Sequence, residues 1–181
     1  MPPVLTFPPE LLLKAHGLSV LFLDVDGVLT DGGLYFSGRG ESLKRFDVQD
    51  GLGLKLVQSA GFQVVVISGR DSRPLRQRVQ ALGISHAYFG VTDKTAAAQS
   101  VLELLGRNWS EAVAMGDDWP DLAVMRRCAL AVAPANAHPE VKALADHVTE
   151  RSGGGGAVRE LCDLLLVACG KYASLLREAS A

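Results

Sequence analysis

Two aspartates, Asp24 and Asp26, stand directly after a short apolar run, and Gly27 follows them. The run, residues 20–23, is Val-Leu-Phe-Leu, which is typical of a strand buried on both faces. Side chains two positions apart on an extended chain point to the same side, so we expect both carboxylates to face one pocket. Two like charges held that close favour a bound cation or a shared proton. The alternative is that Asp and Gly simply form the turn that ends the strand.

Three later polar segments also follow apolar runs. They are residues 68–70 (Ser-Gly-Arg), 92–95 (Thr-Asp-Lys-Thr) and 117–121 (Asp-Asp-Trp-Pro-Asp). The hydroxyl of Ser68 and the helix N-terminus predicted after it suit a phosphate group, and Gly69 lets the backbone come close. Lys94 lies in the first turn of a predicted helix, where a cation costs roughly 0.3–1 kcal/mol against the helix dipole. A role beside an anion explains this placement better than a place on the surface.

Each of these segments also has a purely structural interpretation. The first could be an ordinary turn with a solvated Arg70, Lys94 could be a tolerated surface lysine, and Asp118 could be a helix cap. Capping needs only one acid, however, whereas Asp117, Asp118 and Asp121 fall within five residues.

The elements that must position these residues alternate between strands and helices. The predicted strands are residues 20–23, 62–67, 87–90, 112–115, 129–132 and 147–149. Four predicted helices have both ends defined or nearly so: residues 10–15, about 118–127, 157–168, and one that starts at Asp71 or Ser72 and stops near Leu82. Three more are a helix capped by Asp50 that ends at Gly61, one capped by Thr92 or Asp93 that runs through Leu105, and one that starts at 138–140. This alternation with short links predicts an α/β fold with a doubly wound, Rossmann-like parallel sheet. Ligands bind beyond the carboxyl ends of such strands, where all four polar segments lie.

Residues 31–46 interrupt the alternation. Two short runs around Ser37-Gly38-Arg39-Gly40 predict a β-hairpin flap after the first strand. We expect residues 1–181 to form a single domain, with a hairpin insertion at 31–46 and a glycine run followed by a C-terminal helix and tail at 153–181. The glycine run itself, residues 153–156, could be a flexible linker, or its backbone amides could donate hydrogen bonds to an anion.

Composition narrows the classes of function. The chain has 181 residues, of which 48% are hydrophobic, and a formal net charge of −2 without a basic block, so nucleic-acid binding has no electrostatic basis. No apolar stretch approaches the roughly 20 residues of a membrane helix, and no secretory signal is visible, so a cytoplasmic protein is expected. Neither a disulfide framework nor zinc is expected from the three cysteines and four histidines, which lack the necessary spacing.

The segment Asp-Val-Asp-Gly-Val-Leu-Thr at 24–30 resembles the first motif of the haloacid-dehalogenase-type phosphatases. Ser68, Lys94 and the acidic segment 117–121 are similar to the second, third and fourth motifs of that family, in the same order. The resemblance implies that Asp24 is the nucleophile, that Asp26 is the general acid and base, and that Ser68 and Lys94 hold the phosphoryl oxygens.

The same resemblance implies a magnesium ion. Its ligands would be the carboxylates of Asp24 and Asp117 and the main-chain carbonyl of Asp26, with Asp118 and Asp121 supporting them. Mg2+ prefers oxygen ligands and keeps several waters, which suits this set.

A closer resemblance is to the small capless branch of the family, which includes phosphatases that release phosphate from 3-deoxy-D-manno-octulosonate 8-phosphate in lipopolysaccharide precursor synthesis. It depends on the 31–46 hairpin, on Phe-Asp-Val-Gln-Asp-Gly at 46–51, on Ser68-Gly69-Arg70 with Arg78, and on Gly-Gly-Gly-Gly-Ala-Val-Arg-Glu at 153–160. It implies a homotetramer in which neighbouring subunits close the site, and substrate binding by Ser68, Gly69, Arg70, Arg78 and Lys94. One departure is Gly155, where the family often has Arg.

Two other functions stay open at the level of the sequence. Phosphatases of nine-carbon sialic-acid-type 9-phosphates share nearly all of these motifs. A non-catalytic phosphosugar-binding module could also use the same fold, because fold does not fix function. Such a module would be expected to lose Asp24 or Asp26, and both are present.

Overall fold

The computed structural model describes residues 4–38 and 40–180. Its strands are β1 (Val20–Leu23), β2 (Tyr35–Ser37), β3 (Gly40–Leu43), β4 (Gln63–Ile67), β5 (His86–Tyr88), β6 (Ala112–Met115), β7 (Leu130–Ala133) and β8 (His147–Val148). Six of these form a parallel sheet in the order β5-β4-β1-β6-β7-β8. The remaining two, β2 and β3, form an antiparallel hairpin. The predicted α/β fold and its hairpin flap are confirmed. Residues 1–3, Arg39 and residue 181 lie outside the described residues.

Eight α-helices occur in the described part of the chain. They are α1 (Pro9–Ala15), α2 (Val48–Ser59), α3 (Arg73–Ala81), α4 (Lys94–Leu105), α5 (Leu122–Met125), α6 (Pro139–Leu144), α7 (Ala157–Ala168) and α8 (Tyr172–Glu178). Within these ranges no helix has the length and apolar character needed to cross a bilayer. The α8 helix was not predicted, and the helix predicted at 118–127 is a 3-10 turn, Trp119–Asp121, followed by the single turn of α5.

The strand β1 lies at the centre of the sheet, and all four of its residues are buried. Leu21 and Leu23 belong to the apolar cluster formed with α1, α2, α3 and α7. Val20 and Phe22 belong to the cluster on the opposite face, with α4, α5 and α6. Alternate side chains of a strand point to opposite faces, so the continuous apolar run of β1 serves both layers of a doubly wound fold.

The start of α2 differs from the prediction. Its N-cap is Asp47, whose carboxylate accepts hydrogen bonds from the amides of Gln49 and Asp50 at 2.6 and 3.2 Å, and not Asp50. Asp50 is buried inside the first turn, and its carboxylate accepts from the amides of Gly156 and Arg159 at 3.4 and 2.8 Å. It therefore satisfies amides at the N-terminus of a distant helix, α7, a contact that local sequence could not predict.

The glycine run is packed against the chain's own loop after β1, so its interpretation as a flexible linker is wrong. Gly154 donates to the carbonyl of Val28 at 3.0 Å and accepts from Arg45 at 2.8 Å. It adopts φ +62°, and a Cβ at this position would lie 2.9 Å from Cα of Thr30 and closer still to other backbone atoms. Gly155, by contrast, would place a Cβ no nearer than 3.4 Å to any other residue.

The contrast between these two glycines gives a stability prediction. Gly154→Ala should lower the free energy of unfolding by about 2–4 kcal/mol, because it combines a left-handed backbone with a backbone overlap. Gly155→Ala, the matched control, should change it by less than about 0.5 kcal/mol. Urea unfolding followed by circular dichroism measures both, and equal effects of the two substitutions would contradict the packing described here.

Candidate active site

The ends of β1 and β6 come so close together that residue 27 has no room for a side chain. Gly27 adopts φ +91°, and a Cβ there would overlap the carboxylate of Asp117. The buried hydroxyl of Thr30 accepts from the amides of Gly27 and Gly32 at 3.3 and 3.2 Å, which closes the loop after Asp26. The close approach of the two strand ends thus requires glycine at this position.

Lys94 bridges two acids at the centre of the site. Its ammonium lies 2.5 Å from Oδ1 of Asp24 and 2.7 Å from Oδ1 of Asp121, and all three side chains are nearly buried. Burial alone would lower the pKa of Lys94, but the two carboxylates outweigh it and raise the pKa. The unfavourable placement of this lysine at the first residue of α4 is offset by direct contact with two carboxylates, and the alternative of a surface lysine is wrong.

Three carboxylates crowd around this single ammonium. One oxygen from each of Asp24, Asp117 and Asp121 lies within 4.8 Å of the others. Burial, and then the charge of Asp121, raise the pKa of Asp24 to about 6. Burial, and then the charges of Asp24 and Asp121, raise the pKa of Asp117 to about 8. Three carboxylates around one ammonium leave a surplus of negative charge, and a hard cation with oxygen ligands, such as Mg2+, fits this donor set.

Asp121 and Asp118, the other acids of the 117–121 segment, make different contacts. Oδ2 of Asp121 accepts from the amide of Asp117 at 3.1 Å, which fixes the loop on which Asp117 stands. Asp118 is exposed, and its carboxylate accepts from the amide of Trp119 at 2.8 Å. The capping role that the sequence left open for Asp118 is therefore the one that its contacts show.

Ser68 and Gly69 follow β4 at the same edge of the sheet. Ser68 is buried, and its hydroxyl oxygen accepts from the amide of Arg70 at 3.1 Å. Gly69 has space around it, because a Cβ would meet only the carbonyl of Val91 at 3.7 Å. Sterics do not require glycine at 69.

Two residues that the sequence did not single out reach the site from the hairpin segment. Lys44, whose side chain is 0% exposed, forms an ion pair with Oδ1 of Asp26 and lies 2.9 Å from Glu41. Glu41 in turn lies 3.0 Å from Arg70, whose Nε is 3.8 Å from Oδ2 of Asp26. The available signal in the sequence was the spacing of Glu41 and Lys44, which are three residues apart. Charged residues on a predicted hairpin are ordinarily solvated, so this spacing did not indicate a site.

Arg78 is placed differently from Arg70. Its Nη2 donates to the carbonyl of Asp47 at 2.9 Å, and its guanidinium lies 5.6 Å from the centre of the Phe46 ring. These contacts attach it to the start of α2. The structure therefore joins Arg70, but not Arg78, to the carboxylates of the site.

Asn136 is another residue that the sequence analysis missed. Its Nδ2 donates to the carbonyl of Gly27 at 3.1 Å, and its Oδ1 accepts from the amide of Gly153 at 2.6 Å. The side chain therefore fastens the glycine run to the loop that carries Asp26.

Comparisons with known proteins agree with this geometry. The model of the haloacid dehalogenase-like hydrolase family matches residues 90–161. The 3-deoxy-D-manno-octulosonate 8-phosphate phosphatase of Salmonella typhimurium is 44% identical over 163 residues, which cover 90% of this chain and 87% of that protein.

Solved structures are similar over nearly the same span. The 3-deoxy-D-manno-octulosonate 8-phosphate phosphatase of Yersinia pestis has a TM-score of 0.89 at 39% identity, covering 91% of this chain and 89% of that one. The Moraxella catarrhalis phosphatase of the same name, in complex with a magnesium ion, a phosphate ion and a KDO molecule, has a TM-score of 0.90 at 36% identity, covering 93% and 97%. The chain therefore belongs to the haloacid dehalogenase-like hydrolases, in the branch that contains these phosphatases.

Proposed function

We propose that this chain is a Mg2+-dependent phosphatase that hydrolyses 3-deoxy-D-manno-octulosonate 8-phosphate to the free sugar acid and phosphate. The observation that carries the proposal is the meeting of Asp24, Lys94, Asp117 and Asp121 at one edge of the sheet. The choice of substrate rests on the relatives described above, which are 44% and 36–39% identical to this chain.

The metal would be held by the carboxylates of Asp24 and Asp117 and by the main-chain carbonyl of Asp26. When bound, it supplies charge neutralisation for the phosphoryl oxygens and for the crowded carboxylates. Lys94 supplies a second positive charge, and its contact with Oδ1 fixes the orientation of the Asp24 carboxylate.

The proposed reaction uses the two aspartates in the roles that the family resemblance implies. An oxygen of Asp24 bonds to phosphorus while the bond from phosphorus to the sugar oxygen breaks, and Asp26 gives its proton to that oxygen. Water then attacks the phosphorus of the aspartyl-phosphate, Asp26 accepts the proton, and phosphate leaves from Asp24. The hydroxyl of Ser68 and the ammonium of Lys94 bind the phosphoryl oxygens throughout.

The sugar acid would be recognised at the mouth of the site by Arg70. Its guanidinium is 43% exposed and stands beside Asp26, and arginine suits a carboxylate because of its planar fork of donors. Arg78 stays a proposed substrate ligand on the basis of the family resemblance alone, since its contacts in this subunit are with Asp47 and Phe46.

A homotetramer is also proposed. Large apolar side chains are exposed on the hairpin and on the adjoining part of α2: Tyr35, Phe36, Leu43, Val48 and Leu52. Phe36 is 63% exposed and Val48 is 79% exposed. Several exposed large apolar side chains on neighbouring segments favour cover by another protein, and an isolated hairpin is marginally stable in water.

Asp24→Asn tests the nucleophile. It should lower kcat by at least about 10³-fold, because the covalent step is lost, and it should keep the fold because Asp121 still pairs with Lys94. Phosphate release from eight-carbon and nine-carbon sugar-acid phosphates measures the effect and also ranks the substrates. Asp71→Asn, at an exposed ion pair with Arg76, is the matched control and should retain activity. Turnover of Asp24→Asn near the wild-type rate would overturn the mechanism.

Metal binding has its own test. Mg2+ should raise the Tm of the wild-type protein, because it binds the folded state and relieves the repulsion among the carboxylates. Asp117→Asn should abolish most of that rise, and EDTA should abolish turnover of the wild type. Thermal unfolding with and without Mg2+ gives the first readout independently of activity. An undiminished rise in Asp117→Asn would exclude this ligand set.

The assembly is tested with a charge on the exposed apolar surface. Light scattering should show a tetramer for the wild type, and Phe36→Glu should shift it to smaller species because a buried unpaired charge is costly. Leu104→Glu, at another exposed apolar residue on α4, is the control and should remain tetrameric. A wild-type monomer at micromolar concentration with full activity would refute the assembly.

A further inference from the structure

We propose that the Glu41 carboxylate is an internal competitor for the substrate's carboxylate, and that it sets how strongly the site selects sugar acids over other phosphomonoesters. This inference rests on the proposed function, because it takes the substrate to carry a carboxylate in addition to its phosphate.

The first observation is a closed ring of alternating charges at the mouth of the site. Lys44 pairs with Oδ1 of Asp26 and lies 2.9 Å from Oε1 of Glu41. Arg70 lies 3.0 Å from Oε2 of Glu41, and its Nε is 3.8 Å from Oδ2 of Asp26. Glu41 thus spans a lysine and an arginine with one oxygen each, which is the way an external carboxylate would bind to the same two cations.

Occupied donors make the competition specific. Lys44 and Arg70 each direct a donor at one oxygen of Glu41, so a substrate carboxylate that binds both cations must take the place of a carboxylate of the protein. Asp26 must stay beside the leaving oxygen for the proposed proton transfer, so Glu41 is the group that yields.

The position of Glu41 in the fold allows it to withdraw. It stands on β3, which pairs with β2 in a sheet separate from the main one. Displacement of the hairpin therefore leaves the hydrogen bonds of the six-stranded sheet intact. Asp24, Lys94 and Asp121 are placed by the main sheet and α4, so the phosphate end of the site is unaffected.

Two classes of substrate should respond differently to Glu41. A phosphomonoester without a carboxylate, such as p-nitrophenyl phosphate, needs only the phosphate end and leaves the ring closed. A sugar acid must displace Glu41 from Arg70 and Lys44, and this displacement subtracts from its binding free energy.

Glu41→Gln tests the proposal because it removes the charge and keeps the shape. The KM for the sugar-acid phosphate should fall by about threefold to tenfold, the range expected when Glu41 no longer competes for the half-exposed Arg70. The KM for p-nitrophenyl phosphate should change by a clearly smaller factor, because this substrate leaves the ring closed. Glu10→Gln, an exposed change of the same charge on α1, is the control and should change neither KM.

A binding measurement separates specificity from a structural effect. In calorimetry with Mg2+ present, Glu41→Gln should bind 3-deoxy-D-manno-octulosonate more tightly than the wild type does, and inorganic phosphate equally. An unchanged or raised KM for the sugar-acid phosphate, or equal shifts for both substrates, would overturn the inference and leave Glu41 as a residue that positions the hairpin. Failure of the wild type to release phosphate from the sugar acid would instead overturn the proposed function.

Discussion

The structure depends on a concentration of negative charge that the fold creates at one edge of its sheet. Asp24, Asp117 and Asp121 are held within a few ångströms of one another, and Lys94 is the cation buried among them in the described part of the chain. Repulsion of this kind destabilises a fold unless it is relieved. Burial and the neighbouring carboxylates raise the pKa of Asp24 to about 6 and that of Asp117 to about 8. Lys94 brings one positive charge to three carboxylates, so the relief that it gives is incomplete. The crowded carboxylates lower the stability of the protein alone. The same crowding suits them to bind a divalent cation and, with it, a phosphoryl group.

Glycine makes this crowding sterically possible. A Cβ at Gly116 would lie 2.6 Å from Cγ of Asp121, and one at Gly27 would overlap Asp117. The glycine run then packs against the loop that carries Asp26, through backbone contacts and through the side chain of Asn136. Segments far apart in sequence thus meet at this edge of the sheet, because glycine leaves no side chain between them.

Features that depend on local sequence were predicted, whereas contacts between residues far apart in the chain were missed. The central strand, the alternation of strands and helices, and the placement of Asp24, Ser68, Lys94 and Asp117 past strand ends are local features, and hydrophobic periodicity reveals them. The partner of Asp50 could not be predicted, because its carboxylate caps α7 from a residue about 106 positions away. Lys44 and Glu41 were missed for the same reason: hairpin charges are ordinarily solvated, and only the tertiary fold turns these two toward Asp26.

The two ends of the site are built from elements that differ in how firmly the core holds them. The phosphate end is fixed by the central strands and by a lysine at the start of α4, all of them backed by the two apolar layers. The end that would meet the sugar acid is formed by the hairpin segment and by Arg70, which is half-exposed and pairs with Glu41. Buried elements resist change because any shift disturbs the core, whereas the ion pair of a half-exposed side chain exchanges partners at smaller cost. Chemistry and selectivity are therefore separable in this fold: substitutions in the hairpin can alter which phosphate ester is chosen while the groups that cleave it stay in place.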